Sequence, residues 1–124
     1  MKALVIGGVA WNTMVYVEEF PEPRPSTVFA HGSHDTIGSS GAGKALNLRR
    51  VGADVAMWAA MGHDEPGRLA TERLEREGVA LHVHVDPEGT QRHVNLMDAG
   101  GDRISVFANA GSEELDIDPS VIEP

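Results

Sequence analysis

The sequence predicts an α/β fold: a partial parallel β-α-β-α-β sheet with helices, plus a small antiparallel sheet made of two hairpins. Short apolar runs that end in glycine or polar residues alternate with helix-like segments, as parallel strands joined by crossover helices do. Two further pairs of strand-like segments flank strong turn signals and have no place in a parallel sheet. We therefore expect the two hairpins to form a separate lid.

Composition limits the classes of function. The 124 residues suffice for one domain or part of one, and 41% of them are hydrophobic, which is typical of a globular chain. The net charge of −9 offers no cationic surface for nucleic acid or an anionic membrane. There is no cysteine, which excludes disulfides and thiolate chemistry. No apolar run approaches the length of a membrane span or signal peptide, so we expect a cytoplasmic protein.

The first strand and the first hairpin occupy the start of the chain. Ala3–Val9 is an apolar run that ends in glycines and predicts a buried strand. Met14–Phe20 and Thr27–Ala30 predict two strands, since the three prolines of Pro21–Pro25 impose a turn between them. This first lid segment covers about residues 13–32.

A helix, a strand and a second helix follow. Ala45–Val51 is helix-like and ends at Gly52, and Asp54–Met61 predicts another buried strand. Asp64 is placed to cap the second helix, with Pro66 in its first turn. That helix runs through Arg68–Glu77.

The remaining elements are a strand and the second hairpin. Val79–Val85 predicts a strand, and Thr90–Met97 and Arg103–Ala108 predict a hairpin across the turn Asp98–Asp102. The second lid segment covers about residues 89–109. The tail 113–122 resembles the approach to another element.

The run Gly38-Ser39-Ser40-Gly41-Ala42-Gly43-Lys44 before the first helix carries most functional information. A glycine-rich turn at a helix N-terminus presents N–H groups and the positive end of the helix dipole to a ligand. The run almost matches a nucleotide P-loop, but Ala45 stands where Ser or Thr is required, and His31–Asp35 before it is not a hydrophobic strand. Two other interpretations are a purely structural turn and a substrate loop that donates to sugar oxygens; we favour the last.

Several motifs, taken in order, resemble the ribokinase family of sugar kinases, also called the PfkB family. They are the first strand into Gly7–Asn12 followed by Phe20-Pro21, the glycine run followed by Arg50–Ala53, the turn Gly62–Gly67, Gly78-Val79, and Thr90 with the hairpin that leads to Ala110–Ser112. The resemblance implies that residues 1–124 are the N-terminal, substrate-binding portion of a single ribokinase-like domain. The family's second glycine signature, which carries its anion hole and catalytic base, has no match in this chain.

The resemblance implies an ATP-dependent sugar or nucleoside kinase that transfers the γ-phosphate to a substrate hydroxyl. ATP and Mg²⁺ are the implied cofactors, with their sites mostly outside this chain, and the isolated chain is expected to be inactive. No catalytic residue and no metal ligand are assigned within it. A homodimer through the lid is an expected partner arrangement.

The expected substrate-binding residues are Asn12, Gly38, Ser39, Ser40, Gly41 and Gly43. Arg92 and Asn95 of the lid hairpin are further candidates to reach the substrate. Asn12 stands where the family usually has Asp, Ser39 replaces its second glycine, and Gly43 replaces an Asn. Lys44 is expected to be solvated. His82 and His84 alternate on one strand face, but two histidines without a third ligand are weak evidence for a metal.

A second hypothesis comes from a different class. The chain is then a non-catalytic module that binds a small molecule or dimerises, left from a truncated kinase. Exposed edges of a lid sheet are suited to such pairing.

Overall fold

A computed structural model describes residues 1–112 and 114–121 of the chain. The order of elements is β1 (Lys2–Ile6), β2 (Ala10–Tyr16), β3 (Gly32–Gly38), α1 (Ser40–Arg50), β4 (Asp54–Met61), α2 (Glu65–Arg76), β5 (Ala80–Val85), β6 (Gln91–Met97) and β7 (Arg103–Asn109), with a 3₁₀ turn at Pro119–Val121. The predicted tail element at 113–122 lies partly outside the described residues. No helix among the described residues is long and apolar enough to cross a membrane.

The parallel sheet has the order β1-β4-β5. Alternate residues of β4 are buried, from Val55 to Met61, and they form one core cluster with Ala45 and Leu46 of α1 and Ala70 and Leu74 of α2. The parallel β-α-β-α-β unit is therefore confirmed, and both helices contribute to the same core.

The lid is a four-stranded sheet in the order β3-β2-β6-β7. The β2–β3 and β6–β7 pairs are antiparallel hairpins, as predicted, whereas β2 and β6 run parallel and join the hairpins into one mixed sheet. The lid face that carries Asn12, His93 and Phe107 also carries Met14, Asn95 and Ser105, because side chains alternate along each strand. We call it the pocket face.

The predicted bounds of the first hairpin were wrong. The strands are Ala10–Tyr16 and Gly32–Gly38 rather than Met14–Phe20 and Thr27–Ala30. Every residue from Pro21 to His31 is exposed and lies outside a strand, so the proline-rich segment is a long loop and not a tight turn. β3 was missed because its sequence is polar and half of it is exposed, which leaves no apolar alternation to detect.

Two other bounds were also wrong. β1 ends at Ile6 rather than Val9, since Gly7-Gly8 leaves the sheet to pass over the start of α1. α1 begins at Ser40 rather than Ala45, so Gly41 and Gly43 lie inside the helix. β4 has the predicted bounds, and α2, β5, β6 and β7 agree with the prediction to within three residues at each end.

One face of the parallel sheet and both of its edges remain open in the described part of the chain. Trp58 lies on the face opposite the core, where its ring stacks on His82 with centroids 5.1 Å apart and its indole N–H donates to the carbonyl of Asp116 at 3.0 Å. On the same face, Ile6 of β1 is paired with Trp58 and is 44% exposed. At the β5 edge, Val83 and Val85 lie on the core face, paired with Ala59 and Met61, and are also more than two-fifths exposed. Parallel sheets are normally covered on both faces, so this surface is suited to further packing.

Candidate functional site

A cavity of about 320 Å³ lies between the pocket face of the lid and the start of α1. It is lined by Asn12, Ser39, Ser40, His93, Arg103, Ser105 and Phe107. Three of the residues expected to bind substrate, Asn12, Ser39 and Ser40, thus meet at one place. Gly38, another of the six expected residues, ends β3 immediately before Ser39.

Strand register brings the lid residues together. Asn12 on β2 is paired with His93 on β6, and His93 is paired with Phe107 on β7. The His93 and Phe107 rings are in contact, with centroids 4.0 Å apart and a tilt of 52°. An amide, an imidazole and an aromatic ring therefore form one continuous wall.

Two buried polar atoms in this wall have no hydrogen-bond partner among the described residues. They are Oδ1 of Asn12 and Nε2 of His93. Buried polar atoms are nearly always paired in native proteins, so two such atoms beside one cavity point to a ligand that completes their hydrogen bonds. Burial, and then the nearby charge of Arg103, lower the pKa of His93, which keeps the imidazole neutral at pH 7.

Gly38 makes room for the Asn12 side chain. A Cβ atom at position 38 would collide with the amide group of Asn12, which packs directly on the glycine. Gly38 is paired with Ala10 at the end of β3, so its role is to let Asn12 fold over the strand.

The start of α1 faces the cavity through Ser39 and Ser40. Ser39 precedes the helix with φ of 78°, a left-handed conformation that costs a non-glycine residue free energy. Its side chain makes no capping hydrogen bond, and the first turn contains no acidic residue. The positive end of the helix dipole is therefore not neutralised by the helix's own side chains.

Gly41 and Gly43 lie elsewhere. Gly41 is buried against Gly7 and Gly8, where an added Cβ would come within 2.5 Å of the Gly8 carbonyl oxygen. Gly43 is exposed, with nothing within 4 Å of the position of a Cβ. Neither residue lines the cavity.

The two lid candidates differ in position. Asn95 lies on the pocket face but is only 2% exposed, because it accepts from the Ser105 hydroxyl at 2.6 Å and its amide contacts the Met14 sulfur. Arg92 lies on the opposite face, where it donates to the Thr13 hydroxyl at 3.3 Å. Sequence reasoning did not select His93, Arg103 and Phe107. Strand alternation could have identified them, because they stand at alternate positions of β6 and β7 and so lie on the same face of the sheet as Asn95.

The near-match to a P-loop does not form a phosphate cradle of that type. Ala45, at the position that requires Ser or Thr, is fully buried in the core, and Lys44 is exposed beside β1. The run follows β3 directly, but β3 is a polar lid strand and not the hydrophobic strand that a P-loop requires. Among residues 1–112 and 114–121, no three His, Asp or Glu side chains are grouped in a way that would hold a metal ion.

A second cluster connects the lid to the parallel sheet. Asp64 caps α2 by accepting from the Gly67 N–H at 2.9 Å, as predicted. It also accepts from the N–H and the hydroxyl of Thr90, the residue before β6, at 2.9 and 2.6 Å. Thr90 in turn accepts from the N–H of Gly62, which follows β4. This cluster fixes where β6 enters the lid.

No family model matches the chain, but individual proteins of known identity do. The acarbose 7(IV)-phosphotransferase of an Actinoplanes species is 29% identical over 119 residues, which cover 96% of this chain and 40% of the relative. The structure of a microbiome-derived acarbose kinase superposes with a TM-score of 0.82 at 31% identity, covering 94% of this chain and 39% of that one.

The third relative is a ribokinase from Cryptococcus neoformans, solved in complex with ADP. It superposes with a TM-score of 0.73 at 30% identity, covering 87% of this chain and 33% of that one. The chain spans about two fifths of the length of the first two relatives. By sequence and by fold, it is a homologue of carbohydrate kinases of the ribokinase family.

Proposed function

We propose that this chain is the N-terminal, substrate-binding portion of an ATP-dependent kinase that phosphorylates a hydroxyl of a small sugar or nucleoside. The observation that carries the proposal is the lid cavity, where Oδ1 of Asn12 and Nε2 of His93 are buried without partners. An amide oxygen accepts hydrogen bonds from hydroxyls, and a neutral imidazole can donate or accept. Phe107 and His93 add an apolar and aromatic surface of the kind that packs on a sugar or base ring.

In this proposal the chain orients the substrate and the rest of the protein performs the transfer. Asn12 and the start of α1 hold one side of the substrate, while β6 and β7 cover the other and limit the access of water. ATP with Mg²⁺ would supply the transferred phosphoryl group. The described residues do not include a ligand set that fits Mg²⁺, so we derive no step through the metal. We also propose a cytoplasmic location, where ATP is available.

The test is a comparison of two proteins. The intact protein that contains this chain is assayed with Mg·ATP against a panel of sugars and nucleosides, and the isolated 124-residue chain is assayed in parallel. We expect phosphorylated product from the first and none from the second. Absence of product across the panel would contradict the kinase assignment, and turnover by the isolated chain would contradict the division of roles.

A second candidate function is a non-catalytic module that dimerises through the lid. It is favoured by β7, a lid strand paired only with β6 among the described residues, on which Ile104 and Val106 are 42% and 53% exposed. An apolar edge strand of this kind is a template for pairing with a second copy. This arrangement is compatible with catalysis, so a dimer by itself would not argue against the kinase.

A further inference from the structure

We propose that the substrate of this site already carries an anionic group, a carboxylate or a phosphate, which binds at the Arg103 side of the lid cavity. The inference rests on the proposed function and names a substrate class within it. The charge of the cavity lining differs from that of the rest of the chain.

Arg103 is the one charged side chain among the seven described residues that line the cavity. The chain as a whole has 19 acidic and 10 basic residues, so its surface is strongly acidic. No carboxylate lines this cavity. The local charge favours an anion that the remaining surface would repel.

Arg103 makes no ion pair and no side-chain hydrogen bond within the described part of the chain. Among the other arginines, Arg24, Arg68 and Arg73 each pair with a glutamate and Arg49 donates to backbone carbonyls, whereas Arg50 and Arg76 make no such contact among the described residues. The Arg103 guanidinium is thus available for two-pronged binding of a carboxylate or phosphate.

Most of the other polar groups around the cavity can donate to an anion, whereas the unpartnered Oδ1 of Asn12 accepts and can receive a hydroxyl of the same substrate. Nε2 of His93 is buried without a partner, and the serine hydroxyls of Ser39 and Ser40 stand at the start of α1. The first turn of α1 contains no acidic residue and no side-chain cap. The positive end of the helix dipole therefore attracts an anion, as Arg103 does. An anion also favours protonation of His93, which then donates from both ring nitrogens.

The experiment compares matched ligands on the intact protein that contains this chain. Gluconate is measured against glucitol, and ribose 5-phosphate against ribose, by titration calorimetry at low and high salt. We expect at least one anionic ligand to bind about tenfold or more tightly than its neutral partner, since charge-assisted hydrogen bonds are stronger than neutral ones. The preference should shrink at 1 M NaCl, where charges are screened within about 3 Å.

Substitutions test whether Arg103 causes the preference for the anionic ligand. Arg103→Gln should remove the preference for the anion while keeping the affinity for the neutral partner, and Arg103→Lys should restore part of it. Arg76→Gln on α2 is the matched control, because Arg76 is exposed and lies outside the cavity lining. Both arginines are exposed, so neither variant is expected to disturb folding. In parallel, the pKa of His93, followed by NMR, should rise when the anionic ligand binds and should not move with the neutral one.

The outcomes separate the two proposals. If neutral sugars bind and are phosphorylated while Arg103→Gln changes nothing, the anion inference is wrong and the kinase assignment stands. If no ligand of either kind binds and none is phosphorylated, both are wrong. An anion preference that Arg76→Gln reduces as much as Arg103→Gln would reflect overall charge, and it would overturn the inference. If gluconate alone is preferred, the anion is a carboxylate; if ribose 5-phosphate alone is preferred, it is a phosphate.

Discussion

Asp64 joins the cap of α2 to the lid through Thr90, the residue that precedes the lid strand β6. One carboxylate oxygen accepts from Gly67 and from the Thr90 hydroxyl, and the other accepts from the Thr90 N–H. Asp64, which caps α2, thus also fixes the position of the lid. The sequence signal for the cap was clear, whereas nothing in the local sequence indicated the contact with Thr90, 26 residues further on.

Asp64→Ala should therefore destabilise the protein and loosen the lid. It removes a helix cap and leaves the Thr90 N–H without its acceptor, at a combined cost of about 2–4 kcal/mol. Chemical denaturation gives the free energy of unfolding, and amide exchange at Thr90 and along β6 shows the local effect. Asp102→Asn in the exposed lid turn is the control and should change neither. Equal exchange rates at β6 in both variants would contradict the role in positioning the lid.

Acid should destabilise the fold through Asp64 and Asp86. Burial opposes ionisation of both groups, but hydrogen bonds from Thr90 and Gly67 to Asp64, and from Ser112 and Glu88 to Asp86, outweigh it and lower both pKa values below the ordinary 3.8. A folded-state pKa below the unfolded one contributes stability that is present above pH 3.8 and is lost as the pH falls through the folded value. The free energy of unfolding should therefore fall below about pH 4. The double variant Asp64→Asn, Asp86→Asn should show a shallower fall, and an unchanged slope would contradict this origin.

Gly41 and Gly43 should respond in opposite ways to alanine. At Gly41 a Cβ would meet backbone atoms of Gly8 at 2.5 and 2.7 Å, so Gly41→Ala must separate α1 from the Gly7-Gly8 turn and should cost about 1–3 kcal/mol. At Gly43 nothing lies within 4 Å, and alanine is the better helix former by about 1 kcal/mol, so Gly43→Ala should be neutral or stabilising. Thermal unfolding of the two variants checks the contrast. Equal destabilisation would show that the close contact at Gly41 does not matter.

Asn12 should be important for the ligand and unimportant for stability. Its Oδ1 has no partner among the described residues, so Asn12→Ala removes an unsatisfied buried acceptor and should change the free energy of unfolding by less than about 1 kcal/mol. Substrate affinity of the intact protein should fall about tenfold, the cost of one lost hydrogen bond. Asn95→Ala is the contrasting variant, because Asn95 is 2% exposed and bonded to Ser105, and it should lose stability. A large loss of stability in Asn12→Ala would assign Asn12 a structural role.

The lid edge should control association. Val106→Lys on β7 places a charge in the centre of the exposed apolar edge and should reduce any dimer of the intact protein, because such charges block strand pairing. Light scattering coupled to size-exclusion chromatography measures the change. Val83→Lys on the open edge of the parallel sheet is the comparison. A dimer that persists in Val106→Lys but is lost in Val83→Lys would place the interface on the parallel sheet.

The sequence allowed a correct prediction where local patterns and tertiary contacts agree. β4 alternates strictly between core and opposite face, and α2 carries a cap, a proline in its first turn and an apolar stripe. The predicted bounds of the first lid hairpin were wrong because β3 is polar. Pairing with β2 stabilises this strand, and it shows no apolar pattern in the sequence. Helix α1 began five residues before its predicted start, since Gly41 is used for close packing on Gly8 rather than for a flexible loop.

The candidate site was predicted in part for a similar reason. Asn12, Ser39 and Ser40 stand beside a glycine signal that is visible in the sequence. His93 and Arg103 enter the cavity only through the parallel register of β6 on β2 and the register of β7 on β6, which sequence alone does not specify. Asn95 and Arg92 neighbour His93 in the chain, but one is committed to Ser105 and the other lies on the opposite face.

The parallel pairing of β2 with β6 also governs how the molecule folds. Helix α1, strand β4, helix α2 and strand β5 all lie between these two strands in the sequence. Contacts between distant segments form slowly because closing the intervening chain costs entropy. We expect the parallel sheet and its two helices to form first and the lid to close last. The wall of Asn12, His93 and Phe107 would then form in the final step. A nascent or partly unfolded chain would therefore lack the binding site.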